Sequence, residues 1–220
     1  ISLQKRFCIM KDVQVKRVEV GIMPTNCYII KPGESRDAIV IDPGDELTVI
    51  QDALHRMDAV CRLILLTHGH FDHILAVGDL RGSKVPVAIH ERDAEMLTER
   101  DMFSSMIKYD PRPFEPAEFT FKKEGSYTAA GMEFYVIPTP GHTPGSVCYI
   151  FDGMMFTGDT LFKGSIGTTD FGGDEEALTK SLRALYDLPG DYTVYPGHGS
   201  ATTLSDERRT NPYLTRFAKK

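Results

Sequence analysis

The chain has 220 residues, of which 41% are hydrophobic and 25% charged, and this composition excludes a fibrous or disordered protein. Its formal net charge of −6 and the lack of a basic stripe argue against nucleic acid as the partner. No apolar run approaches the roughly 18 residues of a membrane helix, so we expect no membrane partner either.

Cysteine usage and the N-terminal segment bear on the compartment. The four cysteines stand far apart without a CxxC pair, which favours reduced thiols in the cytoplasm over a secreted disulfide framework. The opening segment lacks the apolar run and small-residue cleavage site of a secretory signal. Met10 offers an alternative start, which would make residues 1–9 foreign to the natural protein. Without a visible linker, we expect one cytoplasmic domain over residues 1–220.

The first half of the chain alternates the patterns of strands and helices. Apolar and polar side chains alternate strictly at its start, and a continuous apolar run at Leu63–Leu66 predicts a strand buried on both faces. Apolar residues at helical spacing predict an amphipathic helix before that run. In chain order we predict strands over 13–20, 27–30 and 38–41, a helix over 45–60, a strand over 63–66, a helix over 74–80 and a strand over 85–89.

Residues 91–130 break this pattern. They are rich in methionine, phenylalanine, proline and charge, with weak helical character early and little regular structure later. We expect either a long surface connection that packs its own side chains or a flap over a pocket, because long loops in compact domains are often functional.

The second half then echoes the first. Asp152-Gly153 is a strong turn dipeptide and predicts a hairpin between two short strands. Two similar halves of strands and helices indicate two packed sheets with helices on the outside. The predicted elements are a strand over 132–137, hairpin strands over 146–151 and 154–157, a helix over 174–187 and a strand over 192–195.

Five of the seven histidines and two aspartates stand after strands or at strand-to-helix turns, so we expect them to meet at one edge. In the H-x-H-x-D-H run of residues 68–73, the first two histidines can hold one ion, and the aspartate and last histidine face a second position. Imidazole with carboxylate suits zinc, iron or manganese. His55 lies in the predicted amphipathic helix and His90 lacks ligand spacing, so neither receives a role. The candidate ligands are His68, His70, Asp72, His73, His142, Asp159 and His198.

The motifs around these residues resemble a known family. T-H-G-H-F-D-H, G-H-T-P-G-S, G-D-T-L-F and P-G-H-G are similar to the metallo-β-lactamase superfamily, from about residue 16 to 214. Within that stretch, residues 158–171 and 196–214 resemble the short-form glyoxalase II-like (hydroxyacylglutathione hydrolase-like) enzymes. The resemblance implies an α+β fold, a four-layer αββα sandwich of two similar halves with metals at one edge between the sheets.

The resemblance also implies a metal-dependent thioester hydrolase. Asp159 and a hydroxide would bridge two divalent ions, with zinc expected before iron or manganese, and Asp72 and Asp159 would be the catalytic carboxylates. The hydroxide would attack a thioester such as an S-acylglutathione, or an ester. Asp159 stands where zinc β-lactamases use a cysteine, which speaks against antibiotic hydrolysis. One ion would be held by His68, His70 and His142, and the other by Asp72, His73 and His198.

Three further residues are candidates around the metals. Asp42, in a turn before Pro-Gly, would either fix a ligand imidazole or simply close the turn. Thr168 stands where the resembling enzymes have a basic residue that helps to hold glutathione, and this departure weakens the case for glutathione thioesters. Lys163 could take over that substrate contact, although a surface role is the simpler interpretation.

Three rival functions remain open. A persulfide dioxygenase has the same ligand residues around one iron, which is bound by two histidines and one aspartate. A lactonase also carries H-x-H-x-D-H, although the G-D-T-L-F and T-N-P-Y segments fit it less well. A binding module that keeps its metals without catalysis is disfavoured, because all ligand positions are filled and glycine-lined turns leave the site open.

Overall fold

The computed structural model describes residues 13–82, 84–98 and 115–218. Within these residues the chain forms twelve strands, six α-helices and a 3-10 helix over Glu91–Leu97. None of the described helices has the length and apolar character that crossing a membrane requires. The strands are β1 (Val13–Val20), β2 (Thr25–Pro32), β3 (Asp37–Ile41), β4 (Val60–Leu65), β5 (Val87–His90), β6 (Phe119–Phe121), β7 (Gly125–Ala129), β8 (Met132–Pro138), β9 (Val147–Phe151), β10 (Met154–Gly158), β11 (Thr193–Pro196) and β12 (Thr202–Thr203). The α-helices are α1 (Leu47–Arg56), α2 (Phe71–Ile74), α3 (Val77–Arg81), α4 (Glu175–Asp187), α5 (Leu204–Thr210) and α6 (Pro212–Thr215).

The strands form two mixed sheets of six strands each. The first has the order β1-β2-β3-β4-β5-β6, antiparallel from β1 to β3 and parallel from β3 to β6. The second has the order β12-β11-β10-β9-β8-β7, in which β10 and β11 are the parallel pair. In the second sheet, β8, β10 and β11 therefore run in one direction, and their C-terminal ends lie at the same edge.

Three apolar clusters hold four layers together. Alternate residues of a strand point to opposite faces, so Ile29 of β2 packs with Ile50 of α1 while its neighbour Ile30 clusters with Phe134 of the second sheet. The outer face of the second sheet is covered by α4, through Leu182 and its neighbours at helical spacing. Each such side chain contributes about 1.5–3 kcal/mol when it is fully buried. The predicted αββα sandwich is confirmed.

Two predictions about local structure are wrong. Residues 115–130 contain more regular structure than expected, because β6 and β7 extend the two sheets there. Both are edge strands with mostly exposed side chains, so no apolar pattern marks them. The helix predicted over 74–80 is split into α2 and α3, since the backbone N–H of Ala76 bonds to the Pro43 carbonyl at 3.0 Å. The flap hypothesis falls partly on residues 99–114, which lie outside the described residues.

Candidate metal centre

The seven candidate ligands lie in loops that follow the C-terminal ends of four strands. The first four come from the loop after β4, in which His70 immediately precedes α2, and Asp72 and His73 lie within that short helix. His142 follows β8, and the remaining two follow β10 and β11. Because these strand ends lie at one edge of the sandwich, the loops of both sheets meet there.

Glycines allow these loops to approach each other without intervening side chains. Gly158, at the end of β10, has a positive φ of 46°, and a Cβ there would stand 2.3 Å from the Thr67 hydroxyl oxygen. A Cβ on Gly197 would stand 2.1 Å from Asp159 Oδ1. Substituting either glycine would therefore force a candidate ligand or its neighbour to move.

Three histidines form the first group, and their ligand atoms all lie within 4.8 Å of one another. His70 Nδ1 lies 2.8 Å from His142 Nε2. The other ring nitrogen of His142, Nδ1, is held 2.6 Å from the Thr168 carbonyl oxygen. His68 Nδ1 lies 3.0 Å from the Thr67 hydroxyl oxygen, so its Nε2 remains on the side of the centre. The ring nitrogen His70 Nε2 lies 3.4 Å from the Phe171 carbonyl oxygen, so each of the three rings has a partner outside the group.

The second group consists of Asp72, His73 and His198, and Asp159 lies between the two groups. His198 Nε2 is 3.3 Å from Asp72 Oδ2 and 3.3 Å from Asp159 Oδ2. Asp159 Oδ1 lies 3.4 Å from His73 Nε2, and its Oδ2 lies 3.6 Å from His142 Nε2. The single carboxylate of Asp159 therefore contacts members of both groups.

Asp42 is buried behind the second group. Its Oδ2 lies 3.0 Å from His73 Nδ1 and also accepts a hydrogen bond from the Thr67 hydroxyl at 2.6 Å. Its Oδ1 accepts from the Thr67 backbone N–H at 2.8 Å. His198 is held in a similar way, with Nδ1 at 2.9 Å from the Pro24 carbonyl oxygen. These contacts orient Nε2 of both histidines towards the centre.

The electrostatics of the centre favour a cation. Burial alone would raise the pKa of Asp159, but His73 and His198 hold it well below the ordinary value, and the pKa of Asp72 is lowered by the same neighbours. Burial would lower the pKa of His73, yet the surrounding carboxylates raise it. Burial keeps the pKa of His68 well below its usual range. Two ionised carboxylates thus stand beside the neutral imidazole of His68.

A cavity of about 80 Å³ opens onto the two groups. Apolar walls come from Met23, Phe71 and Phe171, of which the first and last are partly exposed at the mouth. Thr168 lines this cavity and also a second cavity of about 470 Å³. Lys163 is exposed and lines neither cavity. The sequence did not indicate Met23 and Phe171 as site residues, since they lie in separate loops with no shared spacing.

The two histidines without a predicted role lie apart from this centre. His55 is exposed on α1. His90 ends β5 and its Nδ1 accepts a hydrogen bond from the Arg92 backbone N–H, which caps the 3-10 helix.

The donor atoms fit divalent metal ions. Among the described residues four buried side-chain nitrogen or oxygen atoms lack a hydrogen-bond partner, and three of them lie here: His68 Nε2, His73 Nε2 and Asp159 Oδ1. Buried polar atoms without a partner are costly, and such atoms at a functional site require an explanation. Neutral imidazole and carboxylate are ligands of zinc and iron. Metal ions held by the two groups would satisfy these three atoms.

Comparison with known proteins agrees with this geometry. The Metallo-beta-lactamase superfamily matches residues 20–198, which is more than half of the chain. A probable metallo-hydrolase of Streptococcus pyogenes is 37% identical over 186 residues, 80% of this chain and 80% of the relative. The hydroxyacylglutathione hydrolase GloC of Haemophilus influenzae is 36% identical over 213 residues, 92% of this chain and 98% of the relative.

Solved structures lead to the same family. The BLEG-1 B3 metallo-beta-lactamase superposes with a TM-score of 0.86 and 36% identity, covering 92% of this chain and all (100%) of that structure. TTHA1623 in a di-iron-bound form superposes with a TM-score of 0.80 and 35% identity, covering 90% of this chain and 100% of that structure. The chain therefore belongs to the metallo-β-lactamase superfamily.

Proposed function

We propose that this chain is a hydrolase that binds two divalent metal ions and cleaves thioesters, as enzymes of glyoxalase II type do. The observation that carries the proposal is the pair of adjoining ligand groups that meet at Asp159. The similarity to hydroxyacylglutathione hydrolase GloC supports the thioester as substrate class.

Each ion would have its own set of ligands. Asp159 would contribute to both sets, because its carboxylate contacts members of both groups. When bound, the ions would polarise a carbonyl group and make a water acidic enough to act as a nucleophile near neutral pH. We expect zinc, with iron as the second choice because one similar structure is in a di-iron-bound form. The first set is His68, His70 and His142, and the second is Asp72, His73 and His198.

The remaining residues would position the substrate. Met23, Phe71 and Phe171 offer an apolar wall for the acyl group and exclude water from it. Thr168, which lines both cavities, would contact the thiol part of the substrate. Lys163, exposed on the same loop and outside the lining of both cavities, is a second candidate for that contact. Asp42 would keep the His73 ring in place.

The lining of the cavity favours a thioester over an amide. Among the described residues that line it, none is a lysine, arginine, tyrosine or cysteine, so only the proposed ligands carry ionisable groups. A thiol has a pKa of about 8.5, so a thiolate leaves without first accepting a proton. An amine leaving group needs such a proton. β-Lactam hydrolysis is therefore the weaker candidate, although a B3 metallo-beta-lactamase is a similar structure.

A panel of substrates tests the proposal. Purified protein is assayed with S-lactoylglutathione, a lactone, glutathione persulfide in an oxygen electrode and a chromogenic cephalosporin. We expect kcat/KM for the thioester to exceed the values for the lactone and the cephalosporin by about 100-fold. Oxygen consumption by protein with a single iron would instead identify a persulfide dioxygenase. Preferred lactone cleavage would identify a lactonase, and no turnover despite full metal loading would indicate a binding module.

A further inference from the structure

Asp93 belongs to none of the metal-binding motifs, yet its buried side chain contacts two of the loops that carry them. It lies in the 3-10 helix Glu91–Leu97 and is 0% exposed. Its Oδ2 accepts hydrogen bonds from the Gly69 backbone N–H at 3.1 Å and from the Thr143 hydroxyl at 2.6 Å. Its Oδ1 accepts from the Gly145 backbone N–H at 2.6 Å.

The donors come from loops of different sheets. Gly69 stands between His68 and His70, in the loop after β4 of the first sheet. Thr143 directly follows His142, in the loop after β8 of the second sheet. Asp93 therefore links the backbones that carry all three histidines of the first ligand group.

The glycines of these loops show how closely the 3-10 helix packs on them. A Cβ on Gly145 would stand 2.5 Å from Asp93 Oδ1, and a Cβ on Gly69 would stand 2.6 Å from Met96 Cβ. Neither loop has room for a side chain at its point of contact. The position of the 3-10 helix is thus transmitted to both loops through its tightly packed Asp93 and Met96.

The charge of Asp93 needs a reason, because a buried carboxylate is expensive to desolvate. Burial raises the pKa of Asp93, while the hydrogen bonds from the three donors lower it. An apolar side chain would fill the same space without this cost, but it could not accept hydrogen bonds from both loops. The carboxylate therefore holds the two loops in position relative to each other.

We propose that Asp93 is a positioning residue for the ion that His68, His70 and His142 would hold. It fixes the separation between the two histidines of the β4 loop and the histidine of the β8 loop, seen here as 2.8 Å between His70 Nδ1 and His142 Nε2. The inference rests on the proposed metal binding. Loss of this link would lower the affinity for the first ion by about 10–100-fold, the typical effect of removing a residue that hydrogen-bonds to metal ligands. The ion of the second group would be nearly unaffected.

The test uses Asp93→Asn, which keeps the shape and removes the charge and one acceptor. Glu207→Gln is its matched control: Glu207 is also buried (1% exposed), and its carboxylate accepts from Gly164 N–H at 2.8 Å, Thr202 Oγ1 at 2.7 Å and Asn211 Nδ2 at 2.8 Å. None of these three donors lies in the loops that carry His68, His70 and His142. Zinc affinities of chelator-stripped protein are measured by competition with a chromophoric chelator, together with melting temperatures. Both variants are also made in a His198→Ala background, which removes one ligand of the second group.

We expect Asp93→Asn to bind the first ion about 10–100-fold more weakly in both backgrounds. Glu207→Gln should lower the melting temperature but keep its parent's affinity for the first ion. Unchanged affinities in Asp93→Asn would overturn the inference, and so would an equal loss in Glu207→Gln. If Asp93→Asn does not fold, Thr143→Val removes one of the three donors; a smaller loss of affinity is then expected, and no loss overturns the inference. A parent protein that binds no zinc would overturn the proposed function, and this inference with it.

Discussion

Asp42 Oδ2 lies 3.0 Å from His73 Nδ1, and the opposite nitrogen of the same ring, Nε2, faces Asp159 Oδ1 at 3.4 Å. His73 therefore stands between a carboxylate that orients it and a carboxylate with which it would share an ion. Asp42 also accepts two hydrogen bonds from Thr67, the residue before His68. One buried side chain thus helps to place a candidate ligand from each group.

Asp42→Asn should weaken the binding of the ion at His73 without unfolding the protein. Asp42 has a φ of 51°, a left-handed conformation that asparagine also adopts readily. The loss of the charged acceptor behind the ring should reduce metal affinity by about 10–100-fold in chelator competition. Asp52→Asn, on the exposed side of α1, is the control and should bind like the parent. Equal affinities of the two variants would contradict the role of Asp42.

Asp159→Ala should abolish thioester hydrolysis and the binding of at least one ion while the fold survives. Asp159 Oδ1 has no hydrogen-bond partner, so its removal breaks none at that atom. Circular dichroism of the variant checks that the fold survives, and metal analysis checks the loss of bound ions. Asp187→Asn, an exposed carboxylate on α4 that pairs with Arg183, should leave hydrolysis unchanged. An Asp159→Ala protein with both metals and full activity would contradict the assignment.

The seven candidate ligands could be found from the sequence because local patterns mark them. Buried apolar strands end in short motifs of histidine, aspartate and glycine, and strand direction then brings these ends to one edge of the fold. The same reasoning located β8 and the β9–β10 hairpin to within one residue, since their apolar residues have the expected spacing.

Other features could not be found in this way. Asp93 and Thr143 are 50 positions apart, and only the packing of the two halves brings them together. β7 presents mostly exposed polar residues and is defined by its pairing with β8, which no local pattern shows. Thr168 lines two cavities and Lys163 lies outside the lining of both, a difference that depends on the shape of the folded chain.

Thr168→Arg should lower KM for S-lactoylglutathione. Thr168 lines both cavities, so a guanidinium there could pair with a carboxylate of the glutathione moiety. Thr169→Arg is the neighbouring control, because Thr169 lines the second cavity and is not among the residues that line the metal cavity. Steady-state kinetics of both variants distinguish a specific contact from a general gain of positive charge. An unchanged KM in Thr168→Arg would show that this position does not contact the substrate carboxylate.

The buried thiols should be unreactive in the native protein. Burial raises the pKa of Cys61 to about 12 and that of Cys148 to about 12, and the pKa of Cys27 is also raised well above its ordinary value. The thiolate is the reactive form, and at pH 8 a thiol of pKa 12 is ionised to only about one part in 10,000. A Cys8→Ser variant should react with an aromatic disulfide reagent only after denaturation, and then with three thiols per chain. Rapid reaction of the native variant would show that these sites open readily.

The most direct test of the central claim is a metal titration of chelator-stripped protein, with hydrolysis of S-lactoylglutathione followed on the same sample. If two ions bind to the adjoining ligand groups that share Asp159, activity should appear on metal addition and reach its maximum at two equivalents per chain. Maximal activity at one equivalent would contradict the binuclear site. Two bound equivalents without thioester cleavage would contradict the proposed reaction while leaving the metal site intact.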